Sequence, residues 1–256
     1  MKDMIRSQLY ELRNNRLLYI CFGLLLLMQF TIWGGETNYQ IRFPLGDYLA
    51  QNMIFLVLLG AGFACCVVGI VCGNNFMDKT IYYEIMGRYT RWEVYLSRVL
   101  VSLFIGLTGA FLLMLVPVMV LGNMGSMGEI LTVWDVLARI GLTMFPIGRL
   151  ICEMVCLTML VHIAYVPMLI GFLIAVTGEV FVSGIFHAGG LSALGSIRDL
   201  VDFSVWNTYS LAGSRQILVY DTTISMHSVV RGTVCSVVFG VIFFVLGYVF
   251  FHKDDC

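Results

Sequence analysis

Apolar residues in this chain do not alternate singly with polar ones. They collect into long runs at about 17–33, 49–73, 99–121, 136–160, 166–186 and 229–251. A helix needs about 20 mostly apolar residues to cross the hydrocarbon core of a bilayer, so each run predicts a membrane-spanning helix. The fourth and fifth runs are nearly continuous. A break from His162 to Pro167 divides them, and Pro167 suits the first turn of a new helix, where its missing N–H is harmless. Ahead of the first run, Met1, Met4, Ile5, Leu9 and Leu12 recur at helical spacing within 1–16, with Lys2, Asp3, Arg6, Ser7 and Arg13 on the other side. This predicts an amphipathic helix lying in the membrane interface. It is not read as a cleavable signal, because no small-residue cleavage site follows it. The pattern predicts an all-α membrane protein, one transmembrane domain over 1–256 with six spans.

Composition narrows the picture. Of the 256 residues, 59% are hydrophobic and 12% charged, and the mean hydropathy is +0.90. Soluble domains carry about 25% charged residues, and disordered chains are poor in apolar ones, so both classes are excluded. A net charge of −1 gives no basic footprint for nucleic acid. The eight cysteines lie in apolar runs or, for Cys256, at the last position, and suggest no disulfide framework.

Charge also orients the spans. With six crossings, Lys2, Arg6, Arg13, Arg16, Lys79, Arg88, Arg91, Arg98 and Lys253 share one side, against Arg42, Arg139, Arg198, Arg215 and Arg231. The positive-inside bias therefore puts both termini in the cytoplasm. Two segments fall outside, 34–48 with its aromatic residues and the longer 187–228, where Ile197, Leu200, Val201 and Val205 suggest a short surface helix. Gly60 with Ala64, Gly69 with Gly73, and Gly106 with Ala110 form small-xxx-small pairs that let helices approach closely. Packing within one subunit is the expected use, and a dimer interface the alternative.

The loop between the second and third runs carries the functional signal. Asn75 is positioned to cap a helix, Asp78 favours its positive end, and Gly87 suits a left-handed residue that ends it. Thr90 and Glu93 have the spacing of a capping box that starts the next helix. The expectation is helix, turn, helix on the cytoplasmic face, the first helix being roughly eleven residues and about 16 Å long. Phe76, Ile81, Tyr82, Tyr83, Ile85, Met86, Tyr89 and Trp92 give it more apolar surface than a solvated loop exposes. Such residue types are enriched at protein interfaces, although an aromatic belt at headgroup level would use them too.

An interfacial N-terminal helix, six spans with both ends inside and a short helix after span two resemble the permease subunit of an ABC-2 type transporter. The loop is also similar to the family's local pattern: Asn75 or Asp78, then Thr80, Gly87, Arg91 and Arg98 entering span three. The aromatic-then-charged ending Phe250-Phe251-His252-Lys253-Asp254-Asp255 resembles the family's finish. Lys79 stands where the family often has Gly, and Arg98 where it often has Lys. The topology covers the whole chain, the local match only 74–98 and the tail. The resemblance implies that the 75–87 helix docks on a separate ABC ATPase subunit, through Phe76, Asp78, Thr80, Ile81, Tyr83, Glu84, Met86, Gly87, Arg88 and Arg91. It also implies a second permease, identical or related, a location in the plasma (cytoplasmic) membrane among its lipids, and a peptide antibiotic or lipid as substrate. This chain is not expected to be an enzyme or to bind a cofactor or metal. None of Lys2, Lys79 and Lys253 follows Gly as a P-loop lysine does, so ATP and Mg would be bound by the partner.

Two charges fall inside span four. Arg149 and Glu153 are four residues apart, share a helix face and can pair. Ionisable groups within spans point to function, here a substrate contact or a conformational latch, and the plainer alternative is an internal pair snorkelling outward past Pro146. His162 is read as a turn residue. No H-E-x-x-H or Gly-x-Ser-x-Gly motif is present. A non-transporting membrane anchor that recruits a cytoplasmic regulator is the competing reading. An ion-coupled carrier is less well supported, since Pro117 and Pro146 do not occupy matched halves.

Overall fold

The computed structural model describes residues 2–37, 45–77, 80–87, 89–124, 133–164, 168–171 and 226–253. Every regular element among them is helical: α1 (Lys2–Asn14), α2 (Arg16–Thr37), α3 (Leu45–Val68), a π-helical turn (Gly69–Gly73), α4 (Asn74–Met77), α5 (Thr80–Met86), α6 (Arg91–Met124), α7 (Val133–Val161) and α8 (Met226–Lys253). The segments Leu56–Phe76, Arg91–Val120, Val136–Val161 and Gly232–Lys253 are long and apolar enough to cross a membrane, and Arg16–Thr31 is a shorter apolar stretch in α2. The chain is thus a helical membrane protein. The fifth run, 166–186, lies outside the described residues except for 168–171, and so does nearly all of 187–228.

α1 is amphipathic as its spacing predicts. Met4, Gln8 and Leu12 are buried, while Lys2, Asp3, Arg6 and Arg13 are exposed. Its inner face packs on the start of α6, where the Gln8 side chain donates to Ser97 Oγ at 3.2 Å and that hydroxyl contacts Met4 Sδ at 2.9 Å. Asn15 then separates α1 from α2, its Oδ1 accepting the Leu17 N–H at 3.0 Å as an N-cap does.

The bundle is built on α3, α6 and α7, with α2 against α3 and α8 along α7. Helices attract one another weakly on hydrophobic grounds inside a bilayer, so close backbone approach through small residues has to supply the contact. Gly60 meets Ala110, and Gly106 meets Ala64, so two small-xxx-small pairs interlock across the α3–α6 crossing. The third pair, Gly69 and Gly73, lies against Ala164 just after α7. All three pairs serve packing within the chain. On α8, Gly240 and Gly247 face the backbones of Arg149 and Cys156 of α7. The opposite face of α8 is open, with Val234, Val238, Val241, Val245 and Val249 exposed. In water this would be a large apolar patch; lipid is its natural surroundings.

One end of the bundle gathers α1, α5, the start of α6, and the ends of α7 and α8. Phe76 lies 4.5 Å from the His162 ring and 6.3 Å from Phe251, centroid to centroid. The Tyr95 hydroxyl donates to the Phe244 carbonyl at 2.6 Å. Both ends of the described chain therefore lie beside the 74–98 loop. His162 adopts φ 59°, the left-handed conformation that ends a helix, and its N–H bonds to Thr158 O at 2.8 Å. It is the turn residue that the sequence suggests.

Candidate functional site

The loop after the second span differs from the expected single helix of about eleven residues. Four residues of it, Asn74–Met77, continue α3 beyond the π turn, and a separate α5 of seven residues follows. The π turn adds one residue to the helical cycle, so that the Asn74 N–H reaches back to Gly69 O. Asn75 is consequently not the N-cap of a long helix. Its Nδ2 donates to Val71 O at 2.8 Å, and its Oδ1 and carbonyl oxygen accept from the Thr80 hydroxyl at 3.0 and 3.1 Å. It splices α4 to the start of α5.

The burial of each expected docking residue decides what it can touch. Phe76 and Ile81 are core residues, packed inward, which removes them from a docking face. Glu84 faces the bundle, where its Oε2 lies 2.7 Å from Arg98 Nη2. Thr80 is occupied with Asn75, and Arg91 donates from Nη1 to the His252 carbonyl at 2.8 Å, tying α6 to the last turn of α8. Gly87 closes α5 by donating to Tyr83 O at 2.9 Å and Glu84 O at 3.2 Å, without the left-handed backbone expected of it. Asp78 and Arg88 lie outside the described residues. What remains pointing away from the bundle is Tyr83, 68% exposed, and Met86, 72% exposed, with Tyr89 and Trp92 exposed in the turn and at the start of α6.

The attachment of α5 centres on Arg98, a residue that sequence reasoning gives only a place in a motif. Arg98 has no exposed surface; it donates from Nη1 to Val71 O at 2.8 Å and from Nη2 to Glu84. One guanidinium thus joins three elements: the π turn, α5 and α6. Val71 O receives both Arg98 and Asn75, two side-chain donors on a carbonyl within the widened turn. The available signal was a cation inside an apolar helix with no acidic residue three or four positions away, which implies a partner from elsewhere in the fold.

The capping box is present as its spacing suggests. Thr90 N–H and Oγ1–H both donate to Glu93 Oε2, at 3.2 and 3.0 Å, and Glu93 N–H donates back to Thr90 Oγ1 at 3.3 Å. Trp92 follows, edge-on to Tyr248 at 4.8 Å and Phe244 at 5.9 Å. Thr90→Ala is expected to cost about 1 kcal/mol and to speed amide hydrogen exchange in the first turn of α6 alone. Unchanged exchange there would show that the box carries none of the start of α6.

Arg149 is buried near the middle of the Val136–Val161 span, not snorkelling to an interface. It lies close to Cys235 of α8, whereas half-buried Glu153 lies within electrostatic reach of Cys65 of α3. No protein-family model matches the chain, and no curated protein matches it in sequence.

Proposed function

We propose that this chain is the permease subunit of an ATP-driven transporter of the ABC-2 type, and that α5 is the element through which a separate ATPase acts on the spans. The observation that carries the reading is the combination of a free outer face with a fixed inner one. Tyr83 and Met86 point outward, while Glu84 holds the same seven residues to α6, Thr80 holds them to Asn75 of α4, and Ile81 is buried in the core. An element meant to pass on a partner's movement has to be rigid against the spans, since a flexible loop would absorb the displacement.

Six spans with cytoplasmic termini fit this reading. α7 ends, and α8 starts, at opposite ends of the bundle, the parity that six crossings require. ATP and Mg would be bound by the partner, and a second permease would complete the pathway in the plasma membrane. The substrate class in this reading is a hydrophobic or amphipathic molecule, such as a peptide antibiotic or a lipid.

The test is a double substitution on the outer face, Tyr83→Asp with Met86→Asp, in the chain purified from its native membrane with its associated proteins. Exposed positions tolerate such changes within about 0.5 kcal/mol, so the bundle is expected to stay folded while a copurifying ATPase is lost at least tenfold. Retention of the ATPase by the folded variant would overturn docking through α5. A wild-type preparation without any ATPase, in lipid nanodiscs as well as detergent, would favour the anchor reading instead.

A further inference from the structure

We infer that the outer face of α1 binds the headgroups of anionic phospholipids, in the leaflet at the end of the bundle where α1 lies. The apolar face of this helix is already in use. Met4, Gln8 and Leu12 are buried, and Gln8 rests on Ser97 of α6. That face cannot also dip into the bilayer, as the apolar side of a free interfacial helix does. Whatever α1 offers to the membrane comes from its other face.

The other face carries a stripe of positive charge. At about 100° per residue, Lys2, Arg6 and Arg13 fall within an arc of roughly 40°, and all three are exposed. Asp3 and Glu11 are exposed too, but lie to one side of the stripe, about 60° and 140° from Arg6. Among the described residues none of the three cations has a carboxylate partner. Tyr10, 69% exposed, comes between Arg6 and Arg13, and tyrosine is enriched at the membrane–water boundary. Arg16, also exposed, carries the charge on into the first turn of α2.

Two contacts set the depth of the stripe. The Gln8–Ser97 bond holds the middle of α1 just before the apolar run of α6, which begins at 99. At the end of α1 the Tyr19 hydroxyl donates to the Arg13 carbonyl at 2.9 Å. Leu17 and Ile20, both exposed, open the apolar run of α2 immediately beyond. α1 therefore lies level with the edge of the hydrocarbon, with its cations turned away from the bundle. An acidic protein would meet the charge alone. A phospholipid meets the charge with its head and Leu17 and Ile20 with its chain, so the lipid is the occupant that fits both.

The test uses the full chain in phosphatidylcholine nanodiscs without ATPase or ATP, so its result is independent of docking at α5. A small fraction of phosphatidylglycerol or of phosphatidylcholine carries a photoactivatable group at the top of its acyl chain, and labelled peptides are mapped by mass spectrometry. One basic residue at an anionic lipid surface is worth about fivefold in binding. The phosphatidylglycerol is accordingly expected to label 10–20 at least fivefold more than the phosphatidylcholine. Lys2→Gln with Arg6→Gln and Arg13→Gln is expected to bring the two to parity, while labelling of the exposed face of α8 stays as it was and reports an intact bundle. Asp3→Asn is expected to raise the preference. Salt at about 1 M, where charges are screened within about 3 Å, is expected to lower it in the unsubstituted chain, with no change of sequence to disturb the fold. Equal labelling by the two lipids in the unsubstituted chain, or a preference that survives the triple substitution, would overturn the proposal.

Discussion

Glu84→Ala is expected to destabilise the bundle by about 3–5 kcal/mol, the cost of leaving a buried charge without its partner. The residue it strands, Arg98, has no exposed surface, and its remaining acceptor is the Val71 carbonyl. The reverse deletion is milder. Glu84 is 27% exposed, so Arg98→Met leaves a carboxylate that water can reach, in a pocket still filled by an unbranched chain. That substitution is expected to cost about 1–2 kcal/mol. Combining Arg98→Met with Glu84→Leu removes both charges and is expected to recover most of the loss, because apolar replacement of a buried ion pair is often neutral or better. The ordering, with Glu84→Ala worst and the double variant close to the parent, is read from equilibrium unfolding in mixed detergent micelles. A double variant as unstable as the worse single one would show that the pair contributes through packing alone. In the docking reading, the double variant should also keep ATPase binding at Tyr83 and Met86 while transmission to the spans weakens.

How far the sequence carries the site depends on what each signal encodes. The apolar runs locate the helices because water excludes them whatever the tertiary detail: α2, α6, α7 and α8 each enclose their predicted run, and α3 with the π turn encloses the second. Their ends follow other forces. α6 starts at Arg91, well before its apolar run at 99, because the Thr90–Glu93 box fixes the first turn in a polar stretch. The capping box was legible because it depends on two residues three apart. The π turn was not, since a single extra residue in a helical cycle leaves no trace in hydropathy. That turn carries α3 on to Met77 and delays α5 to Thr80, so Phe76 and Tyr83 stand on different helices and face opposite ways. The same cause explains the inward Ile81. Glycine identity misled at Gly87, where a three-centre hydrogen bond ends the helix, while the left-handed position fell to His162. The Glu84–Arg98 pair joins residues fourteen apart across a turn, a distance no helical spacing anticipates.

Gly73→Ala is expected to be among the most damaging single-methyl additions in the chain, at about 3 kcal/mol or more. A Cβ at this position would stand 2.3 Å from the Ala164 Cα, 2.7 Å from its Cβ and 3.1 Å from its nitrogen. Two of these atoms are backbone, so no side-chain rotation relieves the overlap. α3 and the segment after α7 would have to move apart. That segment is fixed by the left-handed turn at His162, whose ring packs on Phe76 one turn beyond Gly73. Separation would therefore also strain the π turn that supplies Val71 O to Arg98. Gly23 provides the opposite case within the same protein. Nothing lies within 4 Å of a Cβ built there, and alanine is favoured over glycine in a helix by up to about 1 kcal/mol. Gly23→Ala is thus expected to leave stability unchanged or raise it slightly. Measured side by side in the same micelles, Gly73→Ala should lower stability strongly and Gly23→Ala should not lower it. Equal effects would mean that α3 does not approach Ala164 as closely as the fold requires, and the close contact between the π turn and the end of α7 would have to be abandoned.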